Sequence, residues 1–420
     1  MGTERKEISY QLSKGYKLQT LMHNVNKETL IKQHEKQQSG KATGIDEVTK
    51  EEYGLNLEEN IDNLIKRMKS FSYRPQSVKR SYIPKANGKL RPLGIPAYED
   101  RLVQGAMADV LNGIYENIFL DCSYGFRPNR SCHDVIRYLN QTIMTKKVNY
   151  IVEADIKGFF DNVNHEWLMK FLEEVIQDRN FLRYIKRFLK SGYLEDMKYY
   201  ETDKGTPQGG LISPILANVY LHYVLDLWIE LYIKPRSKGE VYYVRYADDF
   251  ILMFQYENEA RCFLKALGER MNKFGLELET TKTRIIPFGR FKGTKNNFSF
   301  LGFTFYNGKT VNGKYRPVVK TDKKKLKQKR QNVKKWLREK MHEPIILVGK
   351  SLRRKVKGHY AYYGVNGNYN ALVSFYKYIK YTWYRILRKR GQRRKIKYEK
   401  FLRIWKYIDI PEPRIYVNIW

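Results

Sequence analysis

The segment Arg245-Tyr246-Ala247-Asp248-Asp249-Phe250-Ile251-Leu252 limits what this chain can fold into more than any other. Two adjacent carboxylates set between the apolar runs 241–244 and 250–254 read as the tip of a β-hairpin. Ionised side by side in apolar surroundings, they repel each other and lose hydration, a cost that a bound cation relieves. A lone Asp-Asp also suits an exposed turn, but the apolar flanks argue against simple exposure. A second strand signal, 148–156, brings Asp155 to the point where another apolar run ends, just before Ile156-Lys157-Gly158-Phe159-Phe160. Three carboxylates on two neighbouring strand ends suit two Mg²⁺ ions about 3.5–4 Å apart, the clamp for in-line phosphoryl transfer.

The rest of the chain points to a polyanionic partner. It has 420 residues, with 79 Lys and Arg against 44 Asp and Glu, a net charge of +35. Such a charge favours nucleic acid as the partner that offsets self-repulsion. Residues 321–400 hold 26 Lys and Arg against four acids, an excess of 22, with Tyr and Trp spaced among the cations. This shift marks a boundary near residue 320. Mixed strands and helices followed by a basic helical end give an α+β enzyme domain with a helical appendage. Long helices are expected at 212–231 and on both sides of the loop 123–130. Three cysteines without a C-x-x-C pair exclude classical zinc-finger sites and fit a reducing cytoplasm. No apolar h-region opens the chain, and the apolar stretch 211–233 is broken by Asn218, His222, Asp226 and Glu230, so no membrane association is expected.

Taken in order, the motifs resemble those of group II intron-encoded reverse transcriptases with a bacterial maturase segment. Tyr82-Ile-Pro-Lys85 and Lys89-Leu-Arg91-Pro-Leu-Gly-Ile-Pro96 resemble the first finger strands. Asp100-Arg101-Leu-Val-Gln104 and Ser123-Tyr-Gly-Phe-Arg127-Pro resemble the next block. Asp155 falls in the A motif, Gly205-Thr-Pro-Gln208-Gly-Gly210 in the B loop, and Tyr246-Ala-Asp248-Asp249 in the C motif. Leu276-Glu-Leu-Glu-Thr-Thr-Lys282 resembles motif D, and Phe300-Leu-Gly302-Phe303 the primer-grip turn. Gly40-Lys-Ala-Thr-Gly-Ile-Asp46 resembles the N-terminal extension of non-LTR-type enzymes. A P-loop reading of the same segment fails because Glu35 stands where the upstream glycine is needed.

The resemblance implies a right-hand α+β polymerase. Residues 1–75 would be the N-terminal extension and start of the fingers, 76–310 the fingers and palm, and 311–420 a basic helical thumb and maturase region. It implies Asp155, Asp248 and Asp249 as metal ligands, with the Ile156 carbonyl as a further one, and Mg²⁺ as two ions that Mn²⁺ can replace. Lys85, Arg91 and Gln208 fall where the family binds the incoming dNTP. Phe159 aligns as the aromatic that excludes a 2′-OH, with Phe160 as its alternate. Lys282 is the candidate for protonating the pyrophosphate leaving group. Arg353, Arg354, Lys355 and Lys357, just before a turn expected at Gly358-His359-Tyr360, are the RNA-binding candidates, with His359 a packing residue. The implied partners are an RNA template, a DNA or RNA primer, dNTPs, structured group II intron RNA and target DNA. No His-Asn-His-type endonuclease segment is recognised, so no intrinsic target-strand cleavage is expected. The same active site also suits a domesticated relative in DNA repair or phage defence, or a scaffold acting mainly as an RNA-binding splicing cofactor.

Overall fold

A computed structural model describes residues 15–84, 90–195, 198–206, 209–293, 295–391 and 395–420. In chain order its strands are β1 (Val78–Pro84), β2 (Leu90–Ile95), β3 (Tyr150–Ala154), β4 (Tyr193–Glu195), β5 (Lys198–Tyr200) and β6 (Val241–Tyr246). They continue with β7 (Asp249–Phe254), β8 (Arg284–Pro287), β9 (Asn297–Phe300), β10 (Phe303–Lys309) and β11 (Tyr315–Thr321). Among the described residues these form three sheets, ordered β2-β1-β4-β5, β6-β7-β3-β8 and β11-β10-β9. The mixture is α+β. Strands and helices alternate up to β11, and the elements after it are helices, beginning where Asp322 caps the helix Lys323–Glu339.

Helix starts follow local chemistry. Asn26, Thr49 and Ser131 each cap a helix through a reciprocal capping box, their side chains accepting from the backbone three residues on. The expected helices flanking the loop 123–130 are Tyr98–Tyr115 and Cys132–Thr145. The long helix expected at 212–231 begins as Ser213–Leu221 and continues through π-type turns at His222–Asp226 and Ile229–Ile233.

The central sheet β6-β7-β3-β8 is buried on both faces. Tyr150, Val152, Leu252 and Phe254 join the large core with the helices, while Ile151, Val244, Ile251 and Met253 join a second core with β9, β10 and β11. The C-terminal segment is tied into this second core by Val365 and Ile419, with Asn140 Nδ2 donating to the Ile419 carbonyl at 3.0 Å. A third core, centred on Leu352, Phe375 and Trp383, packs the basic helices Lys323–Glu339, Ile345–Tyr363, Tyr369–Arg388 and Tyr398–Ile408 together. Most of the interspersed aromatics there are packing groups, whereas Tyr381 stays exposed.

One expectation fails here. Gly358-His359-Tyr360 is not a turn but lies inside the helix Ile345–Tyr363. The helix ends instead at Gly364, where a Cβ would meet the Tyr360 carbonyl oxygen at 2.4 Å. His359 lies against Phe375 with ring centroids 3.8 Å apart and planes tilted by 33°, and burial first, then Lys329 and Arg330, lower its pKa to about 3. No described helix is long and apolar enough to cross a membrane.

Candidate active site

The hairpin expected around Asp248-Asp249 is β6–β7, closed by the pair Tyr246 and Asp249. Ala247, the first turn residue, takes φ +56°, a conformation costing roughly 1–2 kcal/mol for a residue with a Cβ. Across β3–β7, Ala154 pairs with Phe250, so the next step along each strand sets Asp155 opposite Asp249. The three carboxylates thus meet at one end of the central sheet, carried by two strands in register.

Electrostatics there follow from crowding. Burial raises the Asp248 pKa, Asp155 adds to the effect, and Arg91 and Arg245 oppose it. Asp249 still reaches solvent, yet surrounding protein first, then Asp248 and Asp155, push its carboxyl up to about 6, against the pull of Lys282 and Lys325. Arg91 comes from β2 and Lys325 from the first basic helix, so both the β1–β2 hairpin and the C-terminal helices bring positive charge to the pair.

Lys282 Nζ donates to Asp155 Oδ2, and this contact raises the lysine pKa. Asp155 is held from a second direction, since the Glu279 N–H donates to its carbonyl at 2.8 Å. The matching bond, Lys157 N–H to the Glu277 carbonyl at 2.8 Å, leaves the Ile156 carbonyl outside this pair of bonds. The Ile156 side chain is buried.

Among the described residues no three acidic, histidine or cysteine side chains form a ready-made metal cluster. The donor chemistry nevertheless fits a hard divalent cation. The set consists of oxygen donors, two carboxyls have raised pKa values that a divalent charge would reverse, and the third is already held by a cation, the Lys282 ammonium.

A buried network fixes the hairpin. Arg245, fully buried, donates from Nε to Asp226 Oδ1 at 2.8 Å and from Nη2 to Asp226 Oδ2 at 2.5 Å. Its Nη1 donates to Asn218 Oδ1 at 2.9 Å and to the Ala247 carbonyl at 3.0 Å, and Nη2 also reaches Ser123 Oγ at 2.8 Å. Burial alone would lower the Arg245 pKa, but Asp226 outweighs it and raises it. Gly125 completes the seat, because a Cβ there would lie 2.2 Å from the Ala247 nitrogen. None of these positioning roles was assigned from sequence. The available signal was the i, i+4, i+8 spacing of Asn218, His222 and Asp226 in an apolar helix, which puts polar groups on one face opposite a strand arginine.

The aromatic pair is arranged differently from expectation. Phe159 is 2% exposed and packs in the large core beside Tyr220, centroids 6.4 Å apart. Phe160 instead lines a pocket of about 350 Å³ with Arg80, Gly94, Asp161, Gly205 and Thr206. Of the two rings, Phe159, the preferred sugar-facing candidate, is enclosed in the core, and Phe160, its alternate, is the one that lines a pocket. Gly205 and Thr206 close on this segment through Thr206 N–H to the Phe160 carbonyl and Gly205 N–H to the Val163 carbonyl, both 2.7 Å. Gly205, at φ +90°, has to lack a Cβ, because one there would meet the Phe160 and Asp161 carbonyls at 2.9 Å.

Arg91 is exposed on β2, paired with Ile83. Lys85 and Gln208 lie outside the described residues. Arg353, Arg354, Lys355 and Lys357 are exposed on the helix Ile345–Tyr363, far along the chain from the carboxylates. Arg353 is answered by Asp409 at 2.5 Å, and Lys355 lies over the Trp336 ring at 4.8 Å. At the turn resembling a primer grip, Leu301 and Gly302 take φ +49° and +79°, and Tyr362 OH donates to the Leu301 carbonyl at 2.8 Å.

The reverse transcriptase (RNA-dependent DNA polymerase) family matches residues 83–305, over half of the chain. Group II intron-encoded protein LtrA of Lactococcus lactis subsp. cremoris is 39% identical over 230 residues, covering 54% of this chain and 38% of that protein. Protein YkfC of Escherichia coli (strain K12) is 31% identical over 308 residues, 66% of this chain and 78% of the relative. An uncharacterized 91 kDa protein in a cob intron of Schizosaccharomyces pombe is 42% identical over 170 residues, 40% of this chain and 21% of that one. The chain thus spans under two fifths of the length of the Lactococcus intron protein. With the matched region running from the β1–β2 hairpin through the carboxylate-bearing strands, this chain belongs to the reverse transcriptase family.

Proposed function

We propose that the protein is an RNA-directed DNA polymerase that copies RNA into cDNA and also binds structured group II intron RNA to assist splicing and retrohoming. The observation that carries the reading is the convergence of Asp155, Asp248 and Asp249 at one sheet end, beneath cations from the fingers and the basic helices.

In this reading Asp155, Asp248 and Asp249, with the Ile156 carbonyl, hold two Mg²⁺ ions, which Mn²⁺ can replace. Such ions supply charge stabilisation of the attacking and leaving oxygens. The chain's own groups do the rest. Arg91, together with Lys85 and Gln208, orients the triphosphate and base of the dNTP. Phe160 stands against the sugar and rejects a 2′-OH by its bulk. Lys282, protonated through its contact with Asp155, carries the proton suited to the pyrophosphate leaving group. Arg245 keeps the hairpin tip in place and touches no reactant.

The basic helices after Asp322 supply the RNA surface, with Arg353, Arg354, Lys355 and Lys357 as phosphate contacts. Template RNA, a DNA or RNA primer and target DNA are the remaining partners, and a cytoplasmic location fits the free cysteines. The test is Mg²⁺-dependent cDNA synthesis on poly(rA)/oligo(dT) by wild type and Asp248→Ala. Extension by wild type that the folded variant lacks is expected. Near-wild-type extension by Asp248→Ala would overturn the assignment.

A further inference from the structure

The loop between the helices Tyr98–Tyr115 and Cys132–Thr145 is built into the edge of the central sheet. Ser123 pairs in parallel with Arg245 on the outer side of β6. There the Arg245 N–H donates to the Cys122 carbonyl at 2.8 Å, and the Tyr124 N–H to the Arg245 carbonyl at 2.9 Å. Asn218 Nδ2 then donates to the Gly125 carbonyl at 2.7 Å. Beyond Phe126, the buried Arg127 donates from Nη1 to the Leu120 and Ser123 carbonyls at 2.7 and 2.9 Å, and from Nη2 to Glu116 Oε1 at 2.7 Å. Phe126 is thus pinned from both sides, and it stands at φ +58° with 53% of its surface exposed.

A bulky side chain in the left-handed region is a rare arrangement that persists only where its surroundings over-determine it, and such residues gather at functional sites. Phe126 joins none of the three cores formed by the described residues, so core packing does not offset the strain. Its position supplies a reason for it. Gly125, the preceding residue, abuts the nitrogen of Ala247, which itself precedes Asp248. The strand order β6-β7-β3-β8 puts this loop outside β6, whereas Phe160 follows β3 on the other side of the Asp248-Asp249 hairpin. An exposed ring is therefore held beside the carboxylates, on the side away from the Phe160 pocket.

We infer that Phe126 is a specificity-determining residue whose ring lies in the minor groove of the base pairs just formed, against the sugars of the RNA–DNA hybrid. The inference rests on the polymerase reading. With the incoming nucleotide at Phe160, the primer 3′ end lies at the carboxylates and the finished pairs leave across β6. A polymerase that copies any sequence needs a contact that does not read bases. The wide, shallow minor groove of an A-like helix, with its sugar edges and 2′-hydroxyls, offers one to a flat apolar ring. Because the backbone on both sides of Phe126 is fixed, the ring registers groove shape: a mispaired primer end shifts the sugars, loses the contact and is extended less well.

The test variant is Phe126→Asn, because asparagine accepts the left-handed region more readily than phenylalanine and removes the ring. Its melting temperature is expected at or above that of wild type. Affinity for a blunt RNA–DNA hybrid should fall roughly 10-fold, the scale of one lost aromatic contact, while affinity for single-stranded RNA stays level. In single-nucleotide extension the preference for a matched over a mispaired primer end should narrow by a similar factor, with the KM for dNTP unchanged. Unaltered hybrid affinity and mismatch preference in the folded variant would overturn the inference, whatever its melting temperature. An equal loss on single-stranded RNA would put an unpaired strand on the ring and overturn it too. A second measurement reads no synthesis: p-benzoylphenylalanine at position 126 is expected to photocrosslink to the hybrid within about three pairs of the primer 3′ end, a span of roughly 10 Å. Crosslinks only to unpaired RNA refute the placement. Wild type that binds the hybrid yet never extends a primer would sink the polymerase reading instead.

Discussion

The guanidinium of Arg245 and the carboxylate of Asp226 meet side-on with no solvent exposure on either, at 2.8 and 2.5 Å, while the same guanidinium holds the Ala247 carbonyl. A helix 19 residues upstream is thereby coupled to the turn that carries Asp248. The left-handed Ala247 is stabilised by this bond and by the close approach of Gly125, so the carboxylates depend on a buried pair that never reaches the cleft.

Removing one side of a buried pair strands the other charge, at about 3–5 kcal/mol. Arg245→Ala is therefore expected to lose that much stability in urea unfolding. Arg245→Lys keeps the charge but cannot span Asp226, Asn218 and Ala247 together. It should fold and yet extend primers roughly 100-fold more slowly, as for a misplaced reactive group. A lysine variant with wild-type extension would show that the hairpin does not need the fork.

Sugar selection separates the two neighbouring phenylalanines. Phe160→Ala should raise ribonucleotide incorporation relative to deoxyribonucleotide in single-nucleotide extension. Phe159→Ala should cost about 3–5 kcal/mol of stability as a core truncation and leave the sugar ratio unchanged. Reversal of the two phenotypes would return the gate to Phe159.

The carboxyl of Asp249 has its pKa raised from 3.8 to about 6. Between those values the folded protein holds a proton that the unfolded chain has released. Its contribution to stability therefore falls as pH rises through the window. Thermal melts in EDTA should show this decline, and Asp249→Asn should flatten it. Divalent binding should run the other way, weakening as pH drops below about 6 because protons compete for the same oxygen atoms. Melts with the same slope in wild type and Asp249→Asn would assign the titration elsewhere.

On the helix Ile345–Tyr363, neutralising Arg353, Arg354, Lys355 and Lys357 together should lower the salt slope of RNA binding. Four lost phosphate contacts correspond to about 3, and the pairing of Arg353 with Asp409 moves the expectation toward about 2. Extension on a short duplex should survive. An unchanged slope in the folded variant would place the cluster off the RNA path.

The carboxylates were legible in the sequence because their signal is local. Strand alternation, a polar pair interrupting an apolar run and the order of short motifs all act within a few residues, as do the capping boxes at Asn26, Thr49 and Ser131. The charge excess beyond residue 320 is likewise a property of composition. Tertiary structure alone decided the rest. Phe159 and Phe160 are chemically identical neighbours at the start of a short helix, and only the folded chain separates them, with Phe159 buried in the core beside Tyr220 and Phe160 lining a pocket. Arg245 looked like one more cation until Asn218, Asp226 and Ser123 arrived from distant segments to satisfy it. An open surface groove joins Arg74 to Arg183 and Lys186, which lie far along the chain from it, and no pattern within either segment records that they meet. Residue order determines which groups are able to do chemistry; long-range packing determines which of them face each other, because burial and distance belong to the folded chain.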